Sequence, residues 1–468
     1  MKKDYDLTTR PLLGKIILFS IPLMITGMLQ LLYNAADLIV VGQFTGDDAM
    51  AAVSSTGSLV NLITNLFIGL STGSLAVMAK YVGSKNEARA DRITHTSVII
   101  GFIAGFIVGI IGFFCSKYML ELMDTPENIL PLSTLYLKIY FCGMPFNLLY
   151  NFGASILRAC GDTKRPLIIL TLAGLINIAL NVLLVAAFDM GVSGVAIATT
   201  ISQLISAVLV IITLCKREGY GHLDIKRIRI YGDAIKEIAI IGLPAGIQST
   251  IFSLSNTIIQ SSINRFGSEA IAGNGAASSL EGFIYIGMNS LAQACLTFIG
   301  QNYGAKKKQN NLVLLQCSII TTTFGLLLGL TVYFGGDGLL WLYNKKPEVI
   351  AYGKERLSIC ATTYFLCGLM EVGASSLRGI GRSITPMIIS IAGVCGVRIL
   401  WIFTVFAAQT NLLMLYISYP VSWIFTVSAQ LIAFAVCKRK VNREFSDPPE
   451  QGKTDLSEAD GGNAQAAA

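Results

Sequence analysis

The chain is 468 residues long, and its composition is that of a membrane protein. Charged residues make up 13% of it, half of the ~25% usual in soluble domains, and the mean hydropathy is +0.63. Charge this sparse would not cover the surface of a soluble fold of this size, and the same numbers exclude a disordered chain. The sequence therefore predicts an integral membrane protein whose surroundings are a lipid bilayer.

Twelve apolar runs are long enough to cross a hydrocarbon layer ~30 Å thick, which takes about 20 residues of helix. The first follows a basic N-terminus but continues past signal-peptide length without a convincing cleavage site, so we interpret it as an uncleaved span. The predicted fold class is all-α, with twelve transmembrane helices. The runs lie at 14–43, 53–79, 94–116, 132–157, 166–188, 192–215, 234–263, 277–301, 312–334, 355–377, 386–408 and 412–437.

The basic residues predict the orientation of these spans. Of the 35 Lys and Arg residues, 27 fall in the termini and the even-numbered loops, seven fall in the odd-numbered loops, and Arg398 lies inside a span. Lys and Arg concentrate in cytoplasmic loops, so we expect a multi-pass protein of the inner or plasma membrane with both termini in the cytoplasm. The net charge of +7 is explained in this way, and no nucleic-acid partner is expected.

The two halves of the chain repeat each other. SILRACGDTKRP (155–166) matches SSLRGIGRSITP (375–386) at a shift of 220, and YVGSK (81–85) matches NYGAK (302–306) at 221. With six spans in each half, the repeat is parallel and its pseudo-two-fold axis runs along the membrane normal. The predicted domains are an N-terminal six-helix lobe (1–215), a cytoplasmic linker (216–233), a C-terminal six-helix lobe (234–445) and a disordered tail (446–468).

Polar side chains inside spans are costly, and their positions predict a first polar centre. Asp37 ends a stripe of polar residues at helical spacing in the first span. Counted from the turn between the fourth and fifth spans, Asn151 and Asn177 lie at nearly the same depth, and Asn181 follows Asn177 by one helical turn. Carboxylate and amide oxygens can coordinate Na⁺ or surround a titrating carboxyl; hydrogen bonding between helices without an ion is the alternative. The predicted members are Asp37, Asn151, Asn177 and Asn181, with Thr199 or Thr200 from the sixth span.

A second group of polar residues is predicted to line the cavity or the second lobe. Glu371 and Arg398 lie at comparable depths on either side of the GRSITP turn, which favours a structural ion pair between them. Glu281 in the eighth span is a further candidate acid. The remaining members come from the polar stripes of the first and seventh spans; they are Gln30, Tyr33, Asn34, Asn256 and Gln260.

Several of these segments together resemble one family of transporters. They are the opening IPLMITGMLQLLYNAADLIVVGQFTGDDAMAAVSSTG (21–57), the loop YVGSKNEARAD (81–91) and the twin LRxxG motifs before Pro166 and Pro386. The sequence is similar to the multidrug and toxic compound extrusion (MATE) family of cation-coupled exporters, over about 10–440.

This resemblance implies a V-shaped pair of six-helix lobes around a central cavity, and export of organic compounds by alternating access coupled to inward H⁺ or Na⁺. It implies that Asp37 with the Asn177 and Asn181 pair forms a cation site, and that Pro22 is where the first helix can bend. Some relatives carry an aspartate where Asn181 stands here, so the coupling ion stays open. No cofactor is expected besides the coupling ion, no metal besides a possible Na⁺ at Asp37, and the chain is expected to act as a monomer.

The function expected is thus secondary active transport of small organic molecules, and amphipathic cations would suit an acidic, partly apolar cavity. A flippase for lipid-linked saccharides or another lipid is the alternative, although Arg398 alone would be available to hold phosphate. An intramembrane enzyme is a remote alternative, because GLSTG (69–73) matches the pattern of a serine nucleophile. That chemistry needs a histidine partner, and the two histidines, His95 and His222, lie near cytoplasmic ends of spans.

Overall fold

A computed structural model describes residues 6–446, apart from the side chains of Asp47 and of residues 440–446. Within this part of the chain, helices are joined by short turns and no strand occurs. The all-α fold class is therefore confirmed. The predicted disordered tail is 446–468. Apart from Ser446, it lies outside the described residues.

Seven α-helices form the first lobe and eight form the second. In the first lobe they are α1 (Leu12–Thr45), α2 (Asp47–Gly83), α3 (Glu87–Glu121), α4 (Leu130–Cys142), α5 (Met144–Ala159), α6 (Lys164–Asn181) and α7 (Gly191–Cys215). In the second lobe they are α8 (Gly232–Ile263), α9 (Ser268–Gly304), α10 (Asn310–Phe334), α11 (Gly336–Tyr343), α12 (Pro347–Gly379), α13 (Ile384–Ser390), α14 (Val397–Trp401) and α15 (Leu412–Ser446).

These helices make the predicted twelve spans. Eleven spans are single helical stretches that are long and apolar enough to cross a membrane. The fourth span is divided at Gly143 into α4 and α5, of 13 and 16 residues. Pro145 contributes to this break because it has no N–H group to donate to the preceding turn. Helix α11 has only 8 residues and is too short to be a span.

The fifth and eleventh spans contain π-helical segments at corresponding places. In the fifth span, Val182–Ala187 continues α6. In the eleventh span, Ile391–Gly396 separates α13 from α14, and Ile402–Phe406 follows α14. Val182 and Ile402 are separated by the repeat shift of 220. A π-helical turn inside an α-helix is uncommon and often accompanies a functional site, so both lobes have this irregularity where a polar centre is predicted.

The two lobes pack backbone to backbone where glycines of α2 meet glycines of α8. A Cβ atom on Gly69 would lie 2.4 Å from Cα of Gly246, and one on Gly73 would lie 2.3 Å from the carbonyl oxygen of Ile238. No side chain fits at such distances, so small residues are required for the helices to pack backbone to backbone. By contrast, a Cβ atom on Gly57, farther along α2, would meet nothing within 4 Å.

Polar contacts between the lobes lie in the same half of the bundle. Arg89 and Arg92 of α3 both contact the carboxylate of Asp233 in α8. The hydroxyl of Tyr81 donates to Glu237 at 2.7 Å, and Gln301 Nε2 donates to the carbonyl oxygen of Ala159 at 2.7 Å. All hydrogen bonds and ion pairs described between the lobes belong to the half that carries loops 84–86 and 305–309, which we call the basic end. The lobes are therefore joined at the basic end.

Candidate cation centre and second-lobe polar cluster

Three spans bring polar side chains together around Asp37, toward the end of α1 that is remote from the basic end. The Asp37 side chain is buried, with 9% of the residue exposed. Asn181 Nδ2, from α6, donates a hydrogen bond to Asp37 Oδ1, and Thr199 Oγ1, from α7, lies 3.5 Å from Asp37 Oδ2. Asn177 completes the group, because its Nδ2 lies 3.4 Å from Thr199 Oγ1 and its Oδ1 lies 3.3 Å from Asn181 Nδ2. These four residues are called the Asp37 centre below.

The Asp37 centre holds an acid among neutral groups. The hydrogen-bond partners described for the Asp37 carboxylate are an amide and a hydroxyl, so no basic side chain balances it there. The other amide atom of Asn181, its Oδ1, is buried without a hydrogen-bond partner among the described residues. Buried polar atoms are normally satisfied. A carboxylate beside an unsatisfied amide oxygen is a donor set suited to Na⁺, and a single carboxylate among neutral groups is suited to a proton.

Two predicted members of the first centre lie elsewhere. Asn151 Nδ2 donates to Asn147, on its own helix α5, at 2.9 Å, and makes no described contact with Asp37. The hydroxyl of Thr200 donates to the carbonyl oxygen of Ile139 in α4 at 3.1 Å. Equal depth in a hairpin does not set the direction of a side chain around its helix, so the structure does not bring Asn151 to Asp37. Thr200 points away because successive residues differ by about 100° around a helix.

The polar stripe of α1 divides between two sides of the helix. Gln30 and Asn34 are exposed, whereas Tyr33 packs against the fifth span, where a Cβ atom on Gly174 would overlap its ring. The Tyr33 hydroxyl lies 3.4 Å from the carbonyl oxygen of Thr171. Pro22 lies inside α1, which continues through it as one helix.

In the second lobe the predicted ion pair between Glu371 and Arg398 is wrong. No ion pair between them occurs in the described part of the chain. Arg398 instead donates from Nε to Ser422 Oγ at 3.0 Å and from Nη1 to Asn256 Oδ1 at 3.4 Å. Matching depths across the turn were again insufficient, because the two side chains leave their helices in different directions.

The acid that is paired is Glu281, and its partner is Arg356. Arg356 Nη2 and Nε lie 2.6 and 2.9 Å from the two carboxylate oxygens of Glu281, and Arg356 Nη1 donates to Asn274 Oδ1 at 2.6 Å. Asn274 Nδ2 in turn donates to Gln260 Oε1 at 2.9 Å. Arg356 is the second residue of the tenth apolar run (355–377), and at that edge it was counted with the seven basic residues of the odd-numbered loops. Helix α12 begins at Pro347, so Arg356 lies two turns inside it.

The GLSTG segment is a helix contact and not a nucleophile turn. Ser71 lies within α2 and its hydroxyl donates to the carbonyl oxygen of Ile68 at 2.8 Å. Gly69 and Gly73 are the residues that face α8, so the pattern arises from helix packing. In residues 6–446, no group of three or more His, Cys, Asp and Glu side chains is placed to bind a metal ion.

Comparisons with known proteins agree with this architecture. The MatE family model matches residues 22–183 and 244–404, one segment in each lobe. The chain is 30% identical to the probable multidrug resistance protein YoeA of Bacillus subtilis over 425 residues, which cover 89% of this chain and 91% of that protein.

Two solved structures share the fold. A MOP superfamily transporter from Pyrococcus furiosus superposes with a TM-score of 0.84 at 21% identity, over 95% of this chain and 98% of that one. The bent form of the MATE transporter VcmN from Vibrio cholerae gives 0.85 at 20% identity, over 92% and 98%. Together with the family match across both halves, these findings show that the chain belongs to the multidrug and toxic compound extrusion family of membrane transporters and is not an enzyme.

Proposed function

We propose that the chain exports small organic molecules by alternating access, driven by inward movement of H⁺ or Na⁺ through the Asp37 centre. The observation that carries this proposal is the buried Asp37 carboxylate, which has neutral hydrogen-bond partners and an unsatisfied Asn181 oxygen beside it. A negative charge inside a membrane protein is unfavourable unless it is compensated. A cation that enters from outside would supply the compensation, as a proton on the carboxyl or as a bound ion.

The Asp37 centre can convert cation binding into a change of conformation. Its members come from α1, α6 and α7, so the charge on Asp37 affects how three spans pack together. A bound cation shifts the equilibrium between two conformations only by the difference in its affinity for them. We infer that the cation is held more tightly when the lobes are joined at the basic end. Pro22 in α1 is a place where this helix could bend, because proline removes a backbone hydrogen bond.

The expected topology makes this conformation an outward-facing one. If both termini are cytoplasmic, the basic end is the cytoplasmic end, and the joined lobes close the path to the cytoplasm. The Asp37 centre then lies in the half that is open to the outside, where an entering cation would bind. One chain contains both lobes and the whole centre, which supports transport by a monomer.

The class of substrate follows from the relatives and from the charges in the cavity. The Bacillus subtilis relative is described as a multidrug resistance protein, which supports organic compounds as substrates. The expectation of amphipathic cations relied on acids in the cavity, and Asp37 still provides one. Glu281 does not, because Arg356 neutralises it. The flippase alternative is not favoured, because the matching family is one of exporters.

The test is dye efflux from proteoliposomes with an imposed inward pH or Na⁺ gradient. Wild-type protein should export a xanthene dye faster when the gradient of its coupling ion is present. Asp37→Asn should reduce efflux to the rate without a gradient, because the amide carries no charge for a cation to compensate. The matched control is Asp189→Asn, which changes an exposed carboxylate at the same end of the first lobe. Full gradient-driven efflux by Asp37→Asn would refute the proposal.

A further inference from the structure

We propose that Arg398, together with Asn256, binds the anionic group of an exported organic compound, a carboxylate or a phosphate. This proposal rests on the export function proposed above and names a chemical class of its substrates. The site is called the Arg398 site, and it comprises Arg398 with Ser422, Asn256 and the rings of Tyr419 and Trp423 around it.

The Arg398 guanidinium is buried, yet its contacts leave hydrogen-bonding capacity free. The residue is 4% exposed. Its Nε is bound by Ser422 at 3.0 Å, and its Nη1 has a long contact of 3.4 Å to Asn256. No hydrogen bond of Nη2 is described within residues 6–446. The flat group lies over the ring of Tyr419, with Cζ 4.2 Å from the ring centroid, so its planar edge is held in a fixed direction.

The charge of Arg398 is the one that the second-lobe cluster leaves uncompensated. Arg356 faces the same ring, with Cζ 5.3 Å from the Tyr419 centroid, but Arg356 is bound by both oxygens of Glu281. Glu371 forms no ion pair with Arg398 among the described residues. A hydroxyl, an amide and aromatic rings stabilise a cation without neutralising it. Guanidinium binds carboxylate and phosphate through two parallel hydrogen bonds. An anionic group would therefore compensate the positive charge of Arg398 and accept a hydrogen bond from its Nη2.

The repeat places this site where the first lobe has its Asp37 centre. At the shift of 220, Thr199 of that centre corresponds to Tyr419, and the buried Tyr136 corresponds to Arg356. Both sites are built from equivalent spans, the first, fifth and sixth in one lobe and the seventh, eleventh and twelfth in the other. The charge is reversed and sits on a different span of the repeat. Asp37, on the first span, binds an amide and a hydroxyl, whereas Arg398, on the eleventh span, binds a hydroxyl and an amide. A cation site and an anion site in equivalent places are complementary parts of one transport cycle.

A dissolved ligand can reach the site from the end where the lobes are not joined. Asn256 is exposed on α8. The contact of α8 with α2 is made at Gly242 and Gly246, on the side of Asn256 toward the basic end. At a rise of about 1.5 Å per residue, Asn256 lies roughly 15 Å beyond Gly246 along the helix. An anionic group at Asn256 would therefore displace a weak contact and bind the edge of the guanidinium.

The experiment compares two dyes that differ only in this group. Purified protein in nanodiscs of zwitterionic lipid is titrated with rhodamine B, which has a free carboxylate, and with its ethyl ester, and fluorescence anisotropy gives the affinities. Wild-type protein should prefer the free acid. Arg398→Gln should weaken binding of the acid by about tenfold or more, the usual effect of losing a hydrogen-bonded charge, and should leave the ester unchanged. Arg265→Gln is the control, because it removes an exposed positive charge from the same lobe.

A second variant keeps the result decisive if Arg398→Gln does not fold. Asn256→Ala changes an exposed residue, so it should fold, and it should also weaken the acid selectively. The proposal would be overturned if wild-type protein bound the two dyes equally. It would also be overturned if the variants lost affinity equally for both dyes, or if Asn256→Ala lost no affinity for the acid. Loss of acid binding when phosphatidylglycerol is added to the nanodiscs would assign the site to a lipid headgroup and would also overturn it. No gradient is present, so a failure of cation coupling would leave these results unaffected.

Discussion

Two acids buried at membrane depth have opposite surroundings, and this difference separates their roles. Glu281 is bound by both nitrogens of Arg356 that face it, and Asn274 completes the arginine's contacts. Such a pair is neutral as a unit and serves to orient helices. Asp37 has an amide and a hydroxyl as its described partners, so its charge changes whenever a cation binds or leaves. The free acid is therefore the residue that can respond to a gradient.

At the residue scale, two asparagines give a matched comparison. Asn181 binds Asp37, whereas Asn151 binds Asn147 on its own helix. Asn181→Ala should reduce gradient-driven dye efflux by about tenfold, the usual effect of losing a hydrogen bond to a charged group. Asn151→Ala should retain nearly full efflux. Initial rates in proteoliposomes check both variants; equal losses in the two would contradict the composition of the Asp37 centre.

The sequence predicted Asn177 and Asn181 as members of the Asp37 centre, with Thr199 as an alternative to Thr200, and it misplaced other residues. Spacing along a single helix defines both height and direction, so Asn177 and Asn181 were predicted to face the same way, as they do. Counting residues from a turn to compare two helices gave only the depth of each side chain in the membrane and not its direction around the helix. Asn151 and Arg398 were therefore assigned partners at the right depth and on the wrong side. Arg356 was missed because it stands at the edge of an apolar run, whereas its helix begins nine residues earlier, at Pro347.

At the element scale, the contact between α2 and α8 depends on glycines that leave no room for a side chain. Gly69→Val should hold the lobes apart at the basic end. Gly57→Val is the matched control, because it makes the same change in the same helix where nothing lies within 4 Å. Spin labels on Ser84→Cys and Lys308→Cys, in a background without native cysteines, report the separation of the two loops. The distance should increase in Gly69→Val and stay as in the wild type in Gly57→Val; an unchanged distance in Gly69→Val would contradict the assigned contact.

Helix packing of this kind was only partly predictable from the sequence. Spans and repeat were evident from hydropathy and from the near-constant shift of 220. The GLSTG segment, in contrast, matches a catalytic pattern and a packing pattern equally well, because both need glycines around a small polar residue. The partner helix decides between them, and no local pattern identifies α8 as that partner.

For the whole molecule, the lobes are similar in architecture, and equivalent sets of spans hold a buried acid in the first lobe and a buried arginine in the second. Arginines and acids join them at the basic end, and the Asp37 centre and the Arg398 site lie in the other half. Export then requires the lobes to separate at the basic end and to approach at the opposite end. We attribute the driving force for this cycle to a cation at Asp37.

Cation uptake driven by substrate tests that attribution most directly. Proteoliposomes are loaded with dye and placed in dye-free buffer with equal pH and Na⁺ on both sides, and H⁺ or Na⁺ uptake is recorded as the dye leaves. We expect wild-type protein to take up one of these cations in proportion to dye export, and Asp37→Asn to take up neither. Dye export by the wild type without cation uptake, or equal uptake by Asp37→Asn, would contradict it.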